Sequence, residues 1–268
     1  INRLYSDPES IYQNLGKTKS KMIRSKFSRN FETKKRKKFL DKNSIFQIED
    51  EKFLYFPLHT EPEAKILTTS PFYSNQLAVI ENIARSIPID YILYVKEHPG
   101  QELKLWRSID YYQKIIELPN VKLVHPTINS HDLISECSCV ISITGSTGFE
   151  ALFYKKPVVL FADEYYDCLS MVNKINNLTE LPKLLSKILS SFEFNNMEFN
   201  ALIHSTYSQS ISVPYFQIMK EALTISSLQR IEKNPELTEK KFNEFYQNYN
   251  EYFELLGNEF KNKYVINP

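Results

Sequence analysis

Between residues 53 and 189, short and wholly apolar runs alternate with segments of helical periodicity, and this alternation is the strongest constraint on the fold. The predicted strands are 53–56, 91–95, 121–124, 139–141, 157–161 and 170–172. The predicted helices are 75–87, 103–118, 130–136 (with Ser130 as its N-cap), 149–154 and 179–189. Strands that are apolar on both faces are typical of a parallel sheet covered by helices on both sides. The pattern therefore predicts an α/β fold with a doubly wound, Rossmann-like parallel sheet.

Composition changes sharply on either side of this region. Residues 1–50 are polar and basic, which predicts a helical or irregular lead-in, and 51–191 form the α/β domain. Residues 192–268 are helical in pattern and rich in aromatic side chains, so we expect a helical C-terminal extension. One face of its last predicted helix carries an aromatic stripe, which indicates packing rather than a ligand-binding site. The stripe consists of Phe242, Phe245, Tyr246, Tyr249, Phe253 and, at its end, Leu256.

The composition also narrows the class of protein. Hydrophobic residues make up 42% and charged residues 24%, with no apolar run near the ~20 residues of a membrane span and no leader pattern, so we expect a cytoplasmic protein. Three cysteines show no metal-ligand spacing and suit a reducing compartment. The segment 17–42 holds twelve Lys or Arg against two acidic residues. Its first interpretation is a solvated face; the alternative is contact with an anionic polymer or with the inner face of the membrane. Nucleic acid is not expected, since no binding motif accompanies the charge.

A turn rich in glycine and hydroxyl groups follows the fourth predicted strand, at 142–150. Gly145 and Gly148 allow close approach of the backbone, and Thr144, Ser146 and Thr147 add donors. Free N–H groups at the start of a helix attract anions, so a nucleotide phosphate site is one hypothesis. The other is a capping box between Thr147 and Glu150. The turn alone does not decide between them.

Polar residues also follow the other predicted strands. His59 with Glu61 and Glu63 follows the first strand, and Lys96 with His98 follows the second. Since carboxyl ends of parallel strands share one edge, these groups should converge there. A histidine before proline is held extended, so His98 should project from the edge and, with Lys96, hold a phosphate. His125, also before a proline, is interpreted instead as a surface or hydrogen-bonded histidine.

Five segments in this order resemble the bacterial capsule polysaccharide biosynthesis family, whose members are similar to Kdo-type glycosyltransferases of the GT-B fold. The segments are 55–64, 75–77, 93–99, 144–151 and 156–158. The resemblance implies that His98-Pro99 and Ser146-Thr147 hold the nucleotide of a CMP-sugar, and that Glu150 binds ribose hydroxyls. Many Kdo relatives carry Gln and Asp where His59 and Glu63 stand in this sequence. This departure argues against CMP-Kdo as the donor.

The family fold has two Rossmann-like halves, and the alternation here corresponds to the second, nucleotide-binding half. We expect either that the amino-terminal, acceptor-binding domain is absent or that the protein works as a single domain; the start at Ile1 rather than Met fits a fragment. The predicted function is a glycosyltransferase of surface polysaccharide synthesis, or its donor-binding domain. A CMP-linked donor is favoured over UDP- or CDP-linked ones, and the acceptor is a saccharide or a lipid-linked saccharide.

The candidates for acid–base catalysis are His59, Glu61 and Glu63, because they follow a strand at the predicted ligand edge. No cofactor or metal is expected. Three alternatives stay open: a CDP-polyol phosphotransferase of teichoic-acid type, a nucleotide-sugar epimerase, and a non-catalytic nucleotide-binding module that docks through its basic segment.

Overall fold

A computed structural model of the chain describes residues 19–61, 64–101, 107–232 and 235–264. It forms two compact units, residues 25–205 and residues 1–24 together with 206–268. The predicted catalytic residue Glu63 lies outside the described residues. No helix among the described residues is both long and apolar enough to cross a membrane.

The unit 25–205 is built on one six-stranded sheet. Its strands are β1 (Phe53–Pro57), β2 (Ile92–Lys96), β3 (Val121–Val124), β4 (Cys139–Ser142), β5 (Val158–Leu160) and β6 (Val172–Lys174). Every pair is parallel, and the strand order is β3-β2-β1-β4-β5-β6. The predicted doubly wound parallel sheet is confirmed. The order reverses between β1 and β4, and such a reversal opens a crevice at the carboxyl ends of the strands.

Helices precede, connect and follow the strands, and apolar residues of helices within 25–205 cover both faces of the sheet. They are α1 (Lys19–Asn43), α2 (Ala64–Thr69), α3 (Gln76–Ser86), α4 (Ile109–Ile116), α5 (Ser130–Glu136), α6 (Ser146–Phe153), α7 (Leu181–Ser191) and α8 (Asn196–Gln209). Short 3-10 turns occur at Pro71–Tyr73, Pro99–Gln101 and Leu178–Glu180. The prediction that Ser130 caps α5 was wrong: Asn129 is the N-cap, and its side chain accepts from the His131 N–H.

Apolar side chains fill both faces of the sheet, because successive residues of a strand point to opposite sides. Leu54 and Phe56 of β1 pack with α3 and α7 on one face, whereas Tyr55 packs with α5 and α6 on the other. The basic lead-in contributes as well: Leu40 of α1 is buried in the first of these layers. Beside β3, Ile45 forms an isolated parallel bridge to Val124.

The other unit contains α9 (Tyr215–Glu232) and α10 (Pro235–Tyr264). Two members of the predicted aromatic stripe, Phe245 and Tyr249, are buried here, and the Tyr249 hydroxyl donates to Glu221 at 2.8 Å. Packing is therefore confirmed for these two residues, whereas Phe242, Tyr246 and Leu256 are exposed.

Candidate functional site

A cavity of about 140 Å³ lies where the strand order reverses, at the carboxyl ends of β1 and β4. It is lined by Pro57, Leu58, His59, Thr60, His98, Thr144, Gly145, Ser146 and Thr147. The sequence-based prediction that the loops carrying His98 and Gly145 share one cavity is therefore correct. Six of the predicted site residues meet here: His59, His98, Thr144, Gly145, Ser146 and Thr147.

The turn between β4 and α6 depends on one glycine. Gly145 has φ 100° and ψ −175°, a backbone conformation that is essentially restricted to glycine. It is the N-cap of α6, and no side chain caps the helix there. The first N–H groups of α6 consequently lack intrahelical partners at the wall of the cavity. An anion can accept hydrogen bonds from them.

The capping-box alternative for Thr147 and Glu150 was wrong. Helix α6 begins at Ser146, three residues before the predicted start, so Thr147 lies inside the first turn rather than before it. Glu150 instead accepts a hydrogen bond from the Ser146 hydroxyl at 2.8 Å, across one turn of the helix. Glu150 does not line the cavity.

A carboxylate from the loop after β5 is bound at this turn. Glu164 accepts from the Thr144 hydroxyl and, at 2.5 Å, from the Gly145 N–H, and its side chain is only 5% exposed. The ammonium of Lys65 lies 2.5 Å from the same carboxylate oxygen. Burial alone would raise the pKa of Glu164, but the hydrogen bonds from Lys65, Thr144 and Gly145 outweigh burial and lower it. Glu164 was not selected from sequence, although it follows the fifth predicted strand.

Gly148 serves packing rather than the cavity. A Cβ at this position would lie 2.5 Å from the hydroxyl of Tyr166 and 3.0 Å from Val158. That hydroxyl donates to the Gly145 carbonyl at 2.6 Å. The absence of a side chain at Gly148 therefore lets Tyr166 brace the turn from behind.

His59 connects the loop after β1 with the turn after β4. Its Nε2 lies 2.7 Å from the Thr144 carbonyl and donates to it. Its backbone is fixed by Gln76, which accepts from the His59 N–H at 2.8 Å and donates to its carbonyl at 3.2 Å. His59 thus positions the turn that carries the free N–H groups.

A buried ion pair holds the loops after β1 and β2 together. Arg107 Nη1 lies 2.5 Å from both carboxylate oxygens of Glu97, and the two side chains are 3% and 1% exposed. The other nitrogen of the guanidinium, Nη2, donates to the His59 carbonyl and lies 3.3 Å from Glu61. The Tyr112 hydroxyl donates to Glu97 at 2.6 Å. The ion pair was not predicted: Glu97 stands within the 93–99 segment, but its partner Arg107 lies ten residues away and outside every motif.

The network also fixes His98. Its backbone N–H donates to Glu97 at 2.8 Å, while its ring is exposed at the cavity. Ring atom Nδ1 accepts from the Gly100 N–H at 2.9 Å. In the neutral imidazole the proton therefore resides on Nε2, which is a donor.

Lys96 does not line the cavity with His98. Its side chain is buried, and its ammonium donates to the Ser130 hydroxyl at 2.8 Å. Burial lowers the pKa of this amine, and no carboxylate among the described residues forms an ion pair with it.

Two other predicted site residues also lie outside the cavity wall. Pro99 is exposed there, and Glu61 is held by Arg107 and by Gln76, which donates to it at 2.6 Å.

His125 is engaged away from this site. Its ring nitrogens contact Thr127 at 2.6 Å and Asp41 at 3.1 Å, and its ring stacks on Phe46. The interpretation of His125 as a hydrogen-bonded histidine is therefore confirmed.

Within the described residues, no group of three His, Cys, Asp or Glu side chains is arranged to hold a metal ion.

Similar folds occur among solved structures. The KpsC beta Kdo 2,7 transferase of Thermosulfurimonas dismutans is 19% identical, with 66% of this chain and 60% of that chain covered and a TM-score of 0.37. The UDP-GlcNAc 2-epimerase of Methanocaldococcus jannaschii is 17% identical, with 63% and 48% covered and a TM-score of 0.42. The chain thus spans 60% and 48% of the length of these two proteins.

The sequence itself matches a protein family. No curated protein matches the chain. The profile of the family described as "Capsule polysaccharide biosynthesis protein" matches residues 1–188, which include every residue that lines the cavity. This is more than half of the 268 residues, and it confirms the resemblance carried by the five segments. The chain belongs to the capsule polysaccharide biosynthesis protein family.

Proposed function

We propose that this chain is a glycosyltransferase, or the donor-binding domain of one, that acts in capsule polysaccharide synthesis with a nucleotide-activated sugar. One observation carries the proposal: His98 and the 144–147 turn converge on one cavity at the point where the strand order reverses. Such crevices are the usual ligand sites of doubly wound sheets. The donors there favour an anionic group, and the phosphate of a nucleotide-sugar is such a group.

In this proposal the phosphate accepts hydrogen bonds from the turn, through the Thr144 hydroxyl and the backbone N–H groups of residues 145–147, and from the Nε2–H of His98. During transfer, an acceptor hydroxyl forms a bond to the sugar and gives its proton to a base, while the bond between the sugar and the phosphate breaks and negative charge accumulates on the departing phosphate oxygen. Preorganised donors stabilise that charge without reorganisation. The cavity of about 140 Å³ is smaller than the ~300 Å³ lower bound for whole-ligand pockets, so it suits the phosphate while base and sugar extend beyond it.

The proposal gives the remaining predicted residues the following roles. His59, which donates to the Thr144 carbonyl, acts as a positioning residue for the phosphate turn. Glu61 and Glu63 remain the proposed acid–base candidates, and substitution of each by Gln tests them separately. Since Glu61 also contacts Arg107 and Gln76, the Glu61 test includes a stability measurement.

Calorimetric titration of the protein with CMP, CDP and UDP tests the binding half of the proposal. We favour CMP on the resemblance to CMP-sugar enzymes. Wild type should bind one pyrimidine nucleotide, and His98→Ala should weaken that binding at least fivefold by removing one charge-assisted hydrogen bond. His131→Ala is the matched control, because His131 is also exposed but lies outside the cavity wall. Equal affinity in both variants and the wild type would contradict the assignment.

Incubation with radiolabelled CMP-, UDP- and CDP-linked donors tests the reaction. A glycosyltransferase consumes its donor in the presence of a saccharide or lipid-linked acceptor. Polyol phosphate transferred from a CDP-linked donor would indicate the phosphotransferase instead. Isomerised donor without acceptor would indicate an epimerase. Nucleotide binding with no turnover under any acceptor would favour the non-catalytic module.

A further inference from the structure

We infer that Glu164 is an internal competitor for the proposed phosphate site, and that Lys65 is the cation which the phosphate takes over when Glu164 is displaced. This inference rests on the proposed function and adds two residues and an exchange of anions to it.

The contacts of Glu164 are those expected of a bound anion. One carboxylate oxygen accepts from a hydroxyl (Thr144), a backbone N–H (Gly145) and an ammonium (Lys65). Thr144 and Gly145 both line the cavity. A phosphate oxygen placed at the turn would use the same donors, because both anions accept hydrogen bonds from N–H and O–H groups. The two anions therefore compete for one set of donors.

Glu164 differs in this respect from three other carboxylates of the described residues, Glu61, Glu97 and Glu150. Glu97 is buried against Arg107, and Glu61 is held by Gln76 and Arg107, so neither contacts the turn. Glu150 accepts from the Ser146 hydroxyl rather than from the backbone of the turn. Glu164 alone among these four carboxylates accepts from the turn's backbone.

Lys65 is placed for the exchange. Its side chain is 43% exposed, whereas the carboxylate it contacts is nearly buried. It lies on α2, which follows the β1 loop, so it reaches the Glu164 carboxylate from a different element of the fold. When the carboxylate leaves, the turn keeps a cation beside it, and the charge of the incoming phosphate is balanced.

Calorimetry with CMP and with cytidine, which lacks the phosphate, tests the inference on the full chain. Glu164→Gln should bind CMP about tenfold more tightly than wild type, because the charge-assisted competition is lost. Lys65→Met should bind CMP about fivefold more weakly. The affinity for cytidine should be equal in all of these proteins.

Asp163→Asn is the matched control for overall charge. It removes one negative charge at the neighbouring residue, whose side chain is 83% exposed and paired with Lys174. Its affinity for CMP should stay within twofold of wild type. Glu164→Asp, which keeps the charge but shortens the reach, should give an intermediate gain and serves if the Gln variant unfolds.

The outcomes separate the two proposals. If wild type binds CMP but neither Glu164 variant binds it more tightly than Asp163→Asn does, the role of Glu164 is wrong and the phosphate site stands. Weaker binding in Glu164→Gln would mean that the carboxylate contacts the ligand, which also overturns the inference. If wild type and every variant fail to bind CMP, CDP and UDP, the proposed function fails and this inference fails with it.

Discussion

Removal of Arg107 should destabilise the protein strongly and loosen both loops of the cavity. The guanidinium holds Glu97 with two contacts of 2.5 Å and also donates to the His59 carbonyl. Through Glu97 it fixes the His98 N–H, so one side chain supports two cavity residues. Arg107→Met keeps most of the aliphatic volume and deletes only the charge and the donors.

The expected cost follows from the burial of the partner left behind. Breaking a buried ion pair by removing one member typically costs about 3–5 kcal/mol, because the other charge stays buried without compensation. Glu97 would be such a charge, since it is 1% exposed. It would keep the donors from Tyr112 and the His98 backbone, which places the expected loss at the lower end, about 3 kcal/mol.

Urea unfolding at pH 7 measures this loss, followed by far-UV circular dichroism and by the fluorescence of the single tryptophan, Trp106. The double variant Arg107→Met with Glu97→Gln should recover at least half of the loss, because no buried charge remains. Lys122→Met is the control: its two ion pairs, with Glu49 and Glu51, are partly exposed and should contribute at most about 1 kcal/mol. A cost for Arg107→Met no larger than that of the control would refute the reasoning.

Three further predictions address other parts of the molecule. Gly148→Ala should cost about 1–3 kcal/mol in urea unfolding by overpacking against the Tyr166 hydroxyl; an unchanged midpoint would contradict the packing role. Lys96→Met should raise stability at pH 7 by about 1 kcal/mol, because a buried ammonium is lost. The pKa of Lys96 is lowered in the folded state, so the stability of the wild type should rise as the pH increases from that pKa toward the pKa of the unfolded chain. The stability difference between Lys96→Met and the wild type should therefore become smaller at high pH. A stability difference that does not change with pH would contradict this prediction. If the basic helix contacts a membrane surface, replacing the four exposed lysines within 34–38 by Glu should abolish sedimentation of the protein with anionic vesicles and leave its sedimentation with neutral vesicles unchanged. Equal sedimentation of the wild type with both vesicle types would exclude that contact.

The location of the site was predictable because strand ends are readable from sequence. Short apolar runs mark the strands, and parallel pairing brings the residues after them to one edge. This reasoning brought His59, His98 and the 144–147 turn together correctly. It misjudged Lys96, since a strand's last residue can point to either face, and here the side chain turns toward Ser130.

The sequence by itself determined the doubly wound sheet, the edge of the sheet at which the candidate cavity lies and the family. These depend on local periodicity and on short motifs, which are legible in one chain. Only the tertiary structure decided what occupies the turn, how Arg107 joins two loops and why residue 148 is glycine. Those contacts join residues that are 10 to 48 positions apart in the chain. Their energies depend on burial, which no local sequence pattern encodes.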